Sequence, residues 1–475
     1  MDQFLFYAMP VVFVLGILAI AFEDFIKINK SASALVMCVV LWGLLFARVG
    51  ISAHSPAFSY FLLHHPELNE MPETSQLSAF LSSVILKELG EVSTTLFFVL
   101  CSMLIIALVD KFGGFHSLIS IVKNTKKRKL FILISFMAFS LSALVDNLAA
   151  SLLLLAILNR LIPNHIDRMK FACMIVLACN AGGAWSPVGD VTTLLLWTQG
   201  RLSIGGQISS VFIPALVNLL LPLIVASYTF FDKDTILREA PEAVTKRTSY
   251  EVPNYMSTIV LVLGLLSIAL VPIWQLLFAI PPFLGVLIGL SSLWVLTDLY
   301  LAWRNKKTQG NIDLSRLSVV SVMRKADMPT FFYFTGILLS VSALIVGGQL
   351  FSMQKSLDQL MYLTNNADIN SLLMPFVIGL MSSFTDNVAL VAAVMGVYPV
   401  GYSALPSMMV DGSFWTFLAY SAVTGGSLLI IGSATGITVM GLQKIPFGYF
   451  LKRFTPLALL GYFGGAVTYY LLNIL

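Results

Sequence analysis

Two aspartate–asparagine pairs lie in the middle of long apolar segments, and they constrain the fold more than any other feature of this chain. The first pair is Asp146-Asn147, and the second, 240 positions later, is Asp386-Asn387. A charged side chain in such a segment is costly in a lipid bilayer, so it usually marks the path of an ion or polar substrate. A single pair could simply cap a helix. Two pairs in matching surroundings favour a functional role.

The surroundings of the two pairs form an internal repeat. The first pair is followed by Gly182-Gly183 after 36 residues, and the second by Gly425-Gly426 after 39 residues. In both halves another glycine comes six residues after the Gly-Gly pair. Apolar segments that glycine interrupts at corresponding places in two halves are typical of the binding sites of membrane transporters.

The composition excludes a soluble globular protein. Hydrophobic residues make up 58% of the chain and charged residues 11%, and the mean hydropathy is +0.89. No polar stretch is long enough for an independent soluble domain. We therefore expect a lipid bilayer as the main partner, and no nucleic acid. The apolar segment 4–22 lacks a basic start and a small-residue cleavage site, so we interpret it as a retained helix. All four cysteines lie in apolar segments, which indicates no disulfide framework.

The basic residues predict how the chain crosses the membrane. A basic cluster at 123–129 precedes the first Asp-Asn segment, and more basic residues follow it at 160–170. By the positive-inside rule, both ends of this segment are cytoplasmic. The stretch between Ser356 and Gln443 contains no Lys or Arg, so both ends of the second segment are predicted outside. The first segment thus enters and leaves the membrane on the cytoplasmic side, and the second enters and leaves on the outer side. The two are predicted to be re-entrant hairpins of inverted orientation.

The sequence thus predicts an all-α polytopic membrane protein with two inverted-topology repeats, each with a re-entrant helical hairpin and a broken transmembrane helix. Short amphipathic segments before each hairpin are expected to lie in the membrane interface. A polar stretch at 48–75, with three histidines and three glutamates, fits no metal motif and is predicted to be a solvated loop. The predicted parts are N-terminal transmembrane helices with an outer loop (1–76), repeat 1 (77–231, hairpin 130–161, broken helix 171–197), a cytoplasmic linker (232–256), connecting helices with a cytoplasmic loop (257–327) and repeat 2 (328–475, hairpin 372–397, broken helix 414–442).

Four stretches of the repeats together resemble one family of transporters. The sequences DNLAASLLLL and GGAWSPVGDVTT in the first half, and TDNVALVAAVMG and TGGSLLIIGSATG in the second, are similar to NhaD-type sodium/proton antiporters. That family belongs to the ion transporter superfamily, with arsenite permeases and dicarboxylate carriers as relatives. The resemblance covers most of residues 77–472. It implies a transport domain of two hairpins and two broken helices held by a scaffold, a homodimer, and a bacterial-type cytoplasmic (inner) membrane.

The resemblance also implies a set of polar residues for ion binding. By position these are Ser142, Asp146, Asn147, Asn180, Asp190, Ser382, Asp386, Asn387, Ser427 and Ser433, with Glu91 and Asp327 as possible secondary members. Comparison of the repeats adds three hydroxyls: Thr192, Thr424 and Thr435. The residues expected to hold Na⁺ itself are Asp146, Asn147, Asp190, Asp386 and Asn387.

The chemistry of these residues suits a small monovalent cation. Na⁺ and Li⁺ are hard cations that prefer oxygen ligands, and helix breaks add backbone carbonyl oxygens where they line a cavity. No Lys or Arg lies within ten residues of Asp146, Asp190 or Asp386 to neutralise them. A poorly solvated carboxylate also binds protons more readily, so Na⁺ and H⁺ would compete for the same oxygens. The expected function is exchange of Na⁺ or Li⁺ for H⁺ by alternating access, with no cofactor.

Several other functions stay open at this point. An arsenite or dicarboxylate permease of the same superfamily is the main alternative; aspartates at both tips would repel a dianion, but they would not repel the largely neutral arsenite. A channel or receptor is disfavoured by the two inverted broken-helix repeats. A membrane enzyme fits least, because all five histidines lie in or beside loops, away from the buried carboxylates.

Overall fold

The computed structural model describes residues 2–21, 26–47, 56–114, 126–231, 252–278, 280–307, 317–324, 328–349, 367–384, 387–401 and 405–475. These ranges contain no β-strand and define twenty α-helices. In chain order they are α1 (Asp2–Ala21), α2 (Lys30–Ala47), α3 (Pro56–His64), α4 (Glu73–Lys111), α5 (Lys127–Val145), α6 (Asn147–Leu161), α7 (His165–Ala184), α8 (Val191–Thr198), α9 (Ile204–Phe230), α10 (Asn254–Ala269), α11 (Val271–Phe278), α12 (Pro282–Lys307), α13 (Val319–Met323), α14 (Met328–Val346), α15 (Ala367–Met381), α16 (Asn387–Val397), α17 (Ser413–Gly425), α18 (Ala434–Gln443), α19 (Phe447–Arg453) and α20 (Thr455–Asn473).

Six of these helices are long and apolar enough to cross a membrane: α2, α4, α5, α9, α12 and α14. The all-α, multi-pass character predicted from the sequence is therefore confirmed. Helix α4 has 39 residues, so at 1.5 Å per residue it is about 58 Å long. That length exceeds a hydrocarbon core of about 30 Å, so part of α4 extends beyond the bilayer.

The first Asp-Asn pair forms the tip of a helical hairpin. Helix α5 ends at Val145 and α6 begins at Asn147, so that Asp146 alone separates them. The open end of the hairpin is held together where Lys127 Nζ donates to Asp167 Oδ2 at 2.7 Å. Residues that are 40 positions apart therefore meet, because the chain returns to the level at which it entered. We call helices α5 and α6 hairpin 1, and helices α15 and α16, which contain the second Asp-Asn segment, hairpin 2.

Each hairpin packs against a broken helix through the backbone. The breaks separate α7 from α8 and α17 from α18. A Cβ atom at Gly182 would lie 2.2 Å from the Phe139 carbonyl oxygen of hairpin 1, and a Cβ at Gly425 would lie 1.9 Å from the Gly379 carbonyl oxygen of hairpin 2. No side chain fits at either position, which explains why each break begins with glycine.

The two halves are arranged reciprocally, as repeats of inverted topology require. At the open end of hairpin 1, Asn159 accepts a hydrogen bond of 2.9 Å from Gln443 Nε2 at the end of α18. At the open end of hairpin 2, the Met395 carbonyl accepts a hydrogen bond of 3.2 Å from Arg201 Nη2, just beyond α8. Each hairpin therefore contacts the far end of the broken helix of the other half. The predicted fold class, with its inverted repeats, is confirmed.

Two buried hydrophobic cores flank the hairpin tips. One forms mainly among α5, α6, α7, α9 and α20, and the other mainly among α2, α4, α12 and α14. Helix α16 of hairpin 2 and helix α8 contribute to the second core. The polar ends of the half-helices consequently lie between two apolar bodies.

The stretch at 48–75 differs from the solvated loop that its polar residues suggested. Helix α3 occupies Pro56–His64, and a short 3₁₀ turn covers Pro66–Leu68. Each element begins with proline, which fits the first turn of a helix because its missing N–H has no partner there in any case. The Phe58 ring is buried against Phe80, with 5.3 Å between the ring centroids. The loop prediction was therefore wrong for this part.

The predicted interface helices at 112–129 and 347–363 and the linker at 232–256 lie mostly outside the described residues.

Candidate ion-binding site

The N-terminal ends of four half-helices converge on one small cavity. They are the starts of α6, α8, α16 and α18, and residues from all four line a cavity of about 60 Å³. Its polar lining from these ends consists of Asp146, Asn147, Asp190, Asn387 and Ser433. The cavity exists because each hairpin turns back, and each broken helix restarts, at the same depth.

Three of the half-helices carry their own N-cap. Asp146 Oδ1 accepts a 2.7 Å hydrogen bond from Leu148 N, and Asp190 Oδ1 accepts one of 2.7 Å from Thr192 N. In the second half, Ser433 Oγ accepts a 3.0 Å hydrogen bond from Gly436 N. Capping uses one oxygen of each carboxylate and leaves the second oxygen for other contacts; in Asp190 that second oxygen accepts from Asn147 Nδ2. Capping and ion binding are therefore compatible at these aspartates.

The backbone at the tip of hairpin 1 has an unusual conformation. Asp146 has φ +93° and ψ 147°, a region that residues with a Cβ rarely adopt. Such a conformation costs on the order of 1–3 kcal/mol and is typical of functional sites, where the surrounding structure enforces it. An ordinary capping residue has no need of it.

A hydrogen-bonded network of side chains joins the two halves behind the cavity. Asn147 Nδ2 donates to both Asn180 Oδ1, at 3.1 Å, and Asp190 Oδ2. Asn387 Nδ2 of hairpin 2 lies 3.4 Å from Asp190 Oδ1, to which it donates. Both asparagines therefore hold the Asp190 carboxylate in place, one from each hairpin.

The network continues through Asn180 into the second broken helix. Asn180 Nδ2 donates to Ser427 Oγ at 2.8 Å and to Ser433 Oγ at 3.2 Å. Asn180 is fully buried, and both serines are at most 4% exposed. Seven of the residues expected from the sequence are thus brought together: Asp146, Asn147, Asn180, Asp190, Asn387, Ser427 and Ser433.

The remaining hydroxyls have two different surroundings. Ser142 Oγ donates to the Cys179 carbonyl at 2.6 Å, and Ser382 Oγ donates to the Ala422 carbonyl at 2.7 Å. These equivalent bonds fasten each hairpin to its broken helix. Thr424 Oγ1 donates to the carbonyl one turn earlier in α17, at 2.6 Å. All three hydroxyls are therefore committed to backbone contacts.

The hydroxyls of Thr192 and Thr435 are more distinctive. Both side chains are fully buried, and within the described residues neither hydroxyl has a hydrogen-bond partner. They occupy the second position of α8 and of α18, directly behind the cavity-lining ends. A buried hydroxyl without a partner is costly, so these two, which each directly follow a cavity-lining residue, are candidates to bind a ligand or water.

The last three residues of the predicted set are Glu91, Asp386 and Asp327. Glu91 lies about two turns before Val99, the first residue of α4 that lines the cavity, and its carboxylate is half-exposed and 3.9 Å from Lys87. The structure therefore does not bring Glu91 to the site. Asp386 and Asp327 lie outside the described residues.

One charged residue in the lining was not expected from the sequence. Lys30, the first residue of α2, lines the same cavity as the aspartates. Its Nζ lies 4.8 Å from the centroid of the Tyr333 ring. Lys30 lies more than one hundred positions before Asp146 in the chain, so the sequence around the aspartates gives no sign of it. The cavity therefore contains fixed charges of both signs.

The oxygen-rich lining and the small volume suit a small cation. Carboxylate, amide and hydroxyl oxygens are the ligands of hard cations. A water molecule needs roughly 10–15 Å³ of such space, so the cavity has room for a few water-sized particles. Pockets for larger organic ligands usually measure about 300–1,000 Å³.

Two inverted repeats, with helix breaks around a buried polar site, define the protein as a polytopic secondary transporter rather than an enzyme. Comparison with protein families agrees: the profile of a family described as "Citrate transporter" matches residues 17–410. The chain belongs to this family.

Relatives from plants and bacteria align along nearly the whole chain. Sodium/proton antiporter 1 of Arabidopsis thaliana is 32% identical over 97% of this chain and 72% of that protein. Sodium/proton antiporter 2 of the same plant is 31% identical over 97% and 98%, respectively. The Na(+)/H(+) antiporter NhaD of Vibrio cholerae is 27% identical over 98% and 92%. The resemblance to NhaD-type proteins is therefore confirmed.

A solved structure supports the fold. The YdaH transporter of Alcanivorax borkumensis, whose structure is described as having an unusual topology, superposes with a TM-score of 0.56. The match covers 94% of this chain and 98% of that one, at 13% sequence identity. At this identity the likeness concerns the fold alone.

Proposed function

We propose that this protein exchanges Na⁺ or Li⁺ for H⁺ across a membrane by alternating access. The observation that carries the proposal is the pair of carboxylates, Asp146 and Asp190, at the convergence of four helix N-termini. Cation and proton would bind there in competition. The hairpins would be re-entrant, and Asp386, which directly precedes α16 in the chain, would complete the site.

The electrostatics of the helix ends explain why the cargo would be a cation. Each helix N-terminus carries roughly half a positive charge, so four together form a strong site for an anion. In an anion carrier the substrate would supply the negative charge. Here the protein supplies it, because Asp146 and Asp190 already cap two of the four ends. The fixed carboxylates then require a mobile positive charge for compensation.

Exchange follows from that requirement. An uncompensated carboxylate between two apolar cores is costly to move through a region of low dielectric constant. When Na⁺ or H⁺ is bound, the negative charge of the carboxylates is compensated and the loaded site can cross this region. An empty site cannot cross it. One binding site that alternates between the two faces then couples the two ions without a separate path for each.

A carrier for a carboxylate or for arsenite is the second candidate. The family description, the four N-termini and the ammonium of Lys30 favour an anion. The built-in carboxylates and the cavity of about 60 Å³ oppose it. The names of the aligned relatives, which are sodium/proton antiporters, add support for the cation.

The proposal extends to location and assembly. A homodimer in a bacterial-type cytoplasmic membrane is expected from the resemblance, and the bacterial relatives support this location. Cross-linking in native membranes and the mass of the detergent-solubilised particle would test the dimer.

The decisive experiment measures ion-dependent loss of a preformed proton gradient in everted vesicles. Na⁺, Li⁺, K⁺, arsenite, succinate and citrate are added separately at alkaline pH, where protons compete least. Na⁺ or Li⁺ should dissipate the gradient. If neither cation dissipates the proton gradient but arsenite, succinate or citrate does, the protein is a carboxylate or arsenite carrier, the second candidate.

Substitution of the hairpin-tip carboxylates then separates ion binding from capping. Asn keeps the capping oxygen but removes the charge, so if capping were the only role, Asp146→Asn would cost at most about 1 kcal/mol of stability and leave exchange intact. We expect Asp146→Asn and Asp386→Asn to abolish exchange while the protein still inserts and purifies normally. Robust exchange by the double variant would refute the mechanism.

A further inference from the structure

Lys30 lines the same cavity as the half-helix ends. It begins α2, and next to it the lining includes Thr330, Tyr333 and Phe334 from the start of α14. The half-helix ends belong to the hairpins and broken helices, whereas α2 and α14 lie outside both and pack with α8 and α16 in the second hydrophobic core. The ammonium therefore reaches the site from helices that carry none of its carboxylates.

The position of Lys30 is fixed by close packing. Ser31 Oγ donates to the Pro329 carbonyl at 2.6 Å, which joins the start of α2 to the start of α14. A Cβ on Gly336 would lie 2.6 Å from the Ala34 carbonyl carbon, so the two backbones touch. The ring of Tyr333, itself 1% exposed, lies under the ammonium at 4.8 Å. These contacts fix the backbone at Lys30, and the Tyr333 ring lies beside its ammonium at the cavity.

The charge of Lys30 gives it a role that the oxygen ligands cannot have. An ammonium has three donors and no acceptor, so it cannot coordinate a cation. Among the described residues, none of the ion pairs involves Lys30. Its charge therefore acts on whatever enters the space between it and Asp146 and Asp190.

We propose that Lys30 is a specificity-determining residue that excludes divalent cations from the carboxylate site. This inference rests on the proposed exchange of monovalent cations. Two or three clustered carboxylates would by themselves attract Ca²⁺ or Mg²⁺ more strongly than Na⁺. A fixed positive charge repels a divalent ion with twice the energy that it applies to a monovalent ion. Lys30 thereby lowers affinity for Na⁺ moderately and for divalent ions severely.

The factor of two in repulsion energy determines how much the affinity for each ion should change when the charge of Lys30 is removed. One unit charge across a small, poorly solvated cavity is expected to change the affinity for a monovalent ion by about tenfold. The same charge then changes the affinity for a divalent ion by about a hundredfold, because a doubled energy squares the ratio. Selectivity for Na⁺ over Ca²⁺ would fall about tenfold when the charge is removed.

The test uses purified full-length protein in proteoliposomes, with Na⁺-driven proton movement as the readout and Ca²⁺ or Mg²⁺ as competitors. Lys30→Met keeps the length of the side chain but removes the charge, and Lys30→Arg keeps the charge. Lys27→Met is the matched control, since Lys27 is exposed and three residues earlier. Lys30→Met should lower the KM for Na⁺ about tenfold and the inhibition constant of Ca²⁺ about a hundredfold. The two other variants should behave like the wild type.

Equal changes for Na⁺ and Ca²⁺, or no change in either, would overturn the inference while leaving the exchange function in place. A wild type that does not respond to Na⁺ would instead overturn the proposed function, and this inference with it.

Chemical restoration of the charge guards against a folding defect. Lys30→Cys, in a background in which the four buried native cysteines are replaced, is modified after reconstitution with a cationic or a neutral methanethiosulfonate reagent. The cationic reagent should restore the wild-type rejection of Ca²⁺, and the neutral reagent should not. Identical results with both reagents would show that bulk, and not charge, is what matters at this position.

Discussion

The two broken helices are built alike but carry different charges. Gly182 and Gly425 make the same backbone contact with their hairpins, and Ser142 and Ser382 make the same hydrogen bond. The residue that caps the restarted helix is Asp190 in the first half and Ser433 in the second. The repeat thus keeps the architecture symmetric, whereas the chemistry of the two breaks has diverged.

The polar residues that differ between the halves are complementary. The position equivalent to Asn180 is Val423, and the position equivalent to Ser427 is Ala184. Because Asn180 donates directly to Ser427, each half contributes a polar group where the other half is apolar. The two halves therefore form one shared site and not two copies of a site.

The largest effect should come from the residue in which the breaks differ most. Asp190→Asn removes the charge but keeps a side chain that can still cap α8, so we expect loss of Na⁺-dependent exchange by at least about a hundredfold, equal to about 2.7 kcal/mol. Ser433→Ala removes a cap and one acceptor of Asn180, and should reduce the rate by no more than about tenfold. Initial rates in proteoliposomes at matched protein density measure both. Equal losses would show that charge is not what separates the two breaks.

Exchanging the two capping residues sharpens the same comparison. The double variant Asp190→Ser with Ser433→Asp keeps the total charge and both caps but moves the carboxylate to the second half. Asn147 and Asn387 hold the carboxylate at position 190, so we expect the double variant to recover less than about a tenth of wild-type exchange. Full recovery would mean that the cavity needs only one carboxylate, at either break.

Matched losses of stability are expected where the halves are alike. Gly182→Ala and Gly425→Ala each force a Cβ into a backbone carbonyl, at 2.2 and 1.9 Å respectively. Overpacking of this kind costs about 1–3 kcal/mol or more. The unfolding temperature in detergent should fall by a similar amount in both variants. Gly441→Ala is the neutral control, because a Cβ there would meet no atom within 4 Å. A defect in only one variant would contradict the structural equivalence of the two breaks.

A smaller matched effect is expected at the serines that fasten each hairpin. Ser142→Ala and Ser382→Ala each leave a backbone carbonyl without its side-chain donor, which costs about 1 kcal/mol. Neither hydroxyl is free for the cavity, so the KM for Na⁺ should stay within about twofold of the wild type. Thr192→Val and Thr435→Val provide the contrast, because their partnerless hydroxyls are expected to affect the KM and not stability. A changed KM in the serine variants alone would reverse these assignments.

The sequence predicted the site as far as local pattern reaches. The Asp-Asn pairs and Gly-Gly pairs mark backbone interruptions, and an interruption in an apolar segment has few physical explanations, so the tips and breaks could be located. Lys30 could not be predicted because it is remote in sequence from the aspartates, and nothing local to α2 shows that its first residue lines their cavity. Thr424 was predicted to bind the ion, but in the structure its hydroxyl donates to a carbonyl of its own helix, and the sequence alone could not show this. Glu91 was predicted as a possible secondary member of the site, but it lies about two turns before the part of α4 that lines the cavity.

The smallest effect concerns the open ends of the hairpins, where the halves differ again. Asp167 lies in the first turn of α7, outside the six membrane-spanning helices, and pairs with Lys127 at the start of hairpin 1 at 2.7 Å and with Lys170 at 3.3 Å. Burial alone would raise the pKa of the Asp167 carboxyl, but the hydrogen bonds and charges of the two lysines outweigh it and lower the pKa. A carboxyl whose pKa is lowered on folding stabilises the protein above its ordinary pKa of about 3.9, and this contribution is lost as the pH falls through the lowered value.

We therefore expect Asp167→Asn to cost up to about 1 kcal/mol of stability at pH 7 and progressively less below about pH 4. The unfolding temperatures of the wild type and of Asp167→Asn, measured in detergent at pH 7, 5 and 3.5, give this loss of stability at each pH. Lys87→Met breaks the exposed pair with Glu91, which is 3.9 Å apart, and should change nothing at any of these pH values. The end of hairpin 2 is held by the Arg201 guanidinium, which donates to the Met395 carbonyl, and this contact contains no carboxylate. Hairpin 1 alone should therefore loosen in acid. Relative to a free thiol labelled at the same pH, cysteine labelling at Asn164 should become faster as the pH falls, whereas relative labelling at Ser413 should not change. Equal acceleration at both ends would show that the Asp167 ion pairs do not distinguish the hairpins.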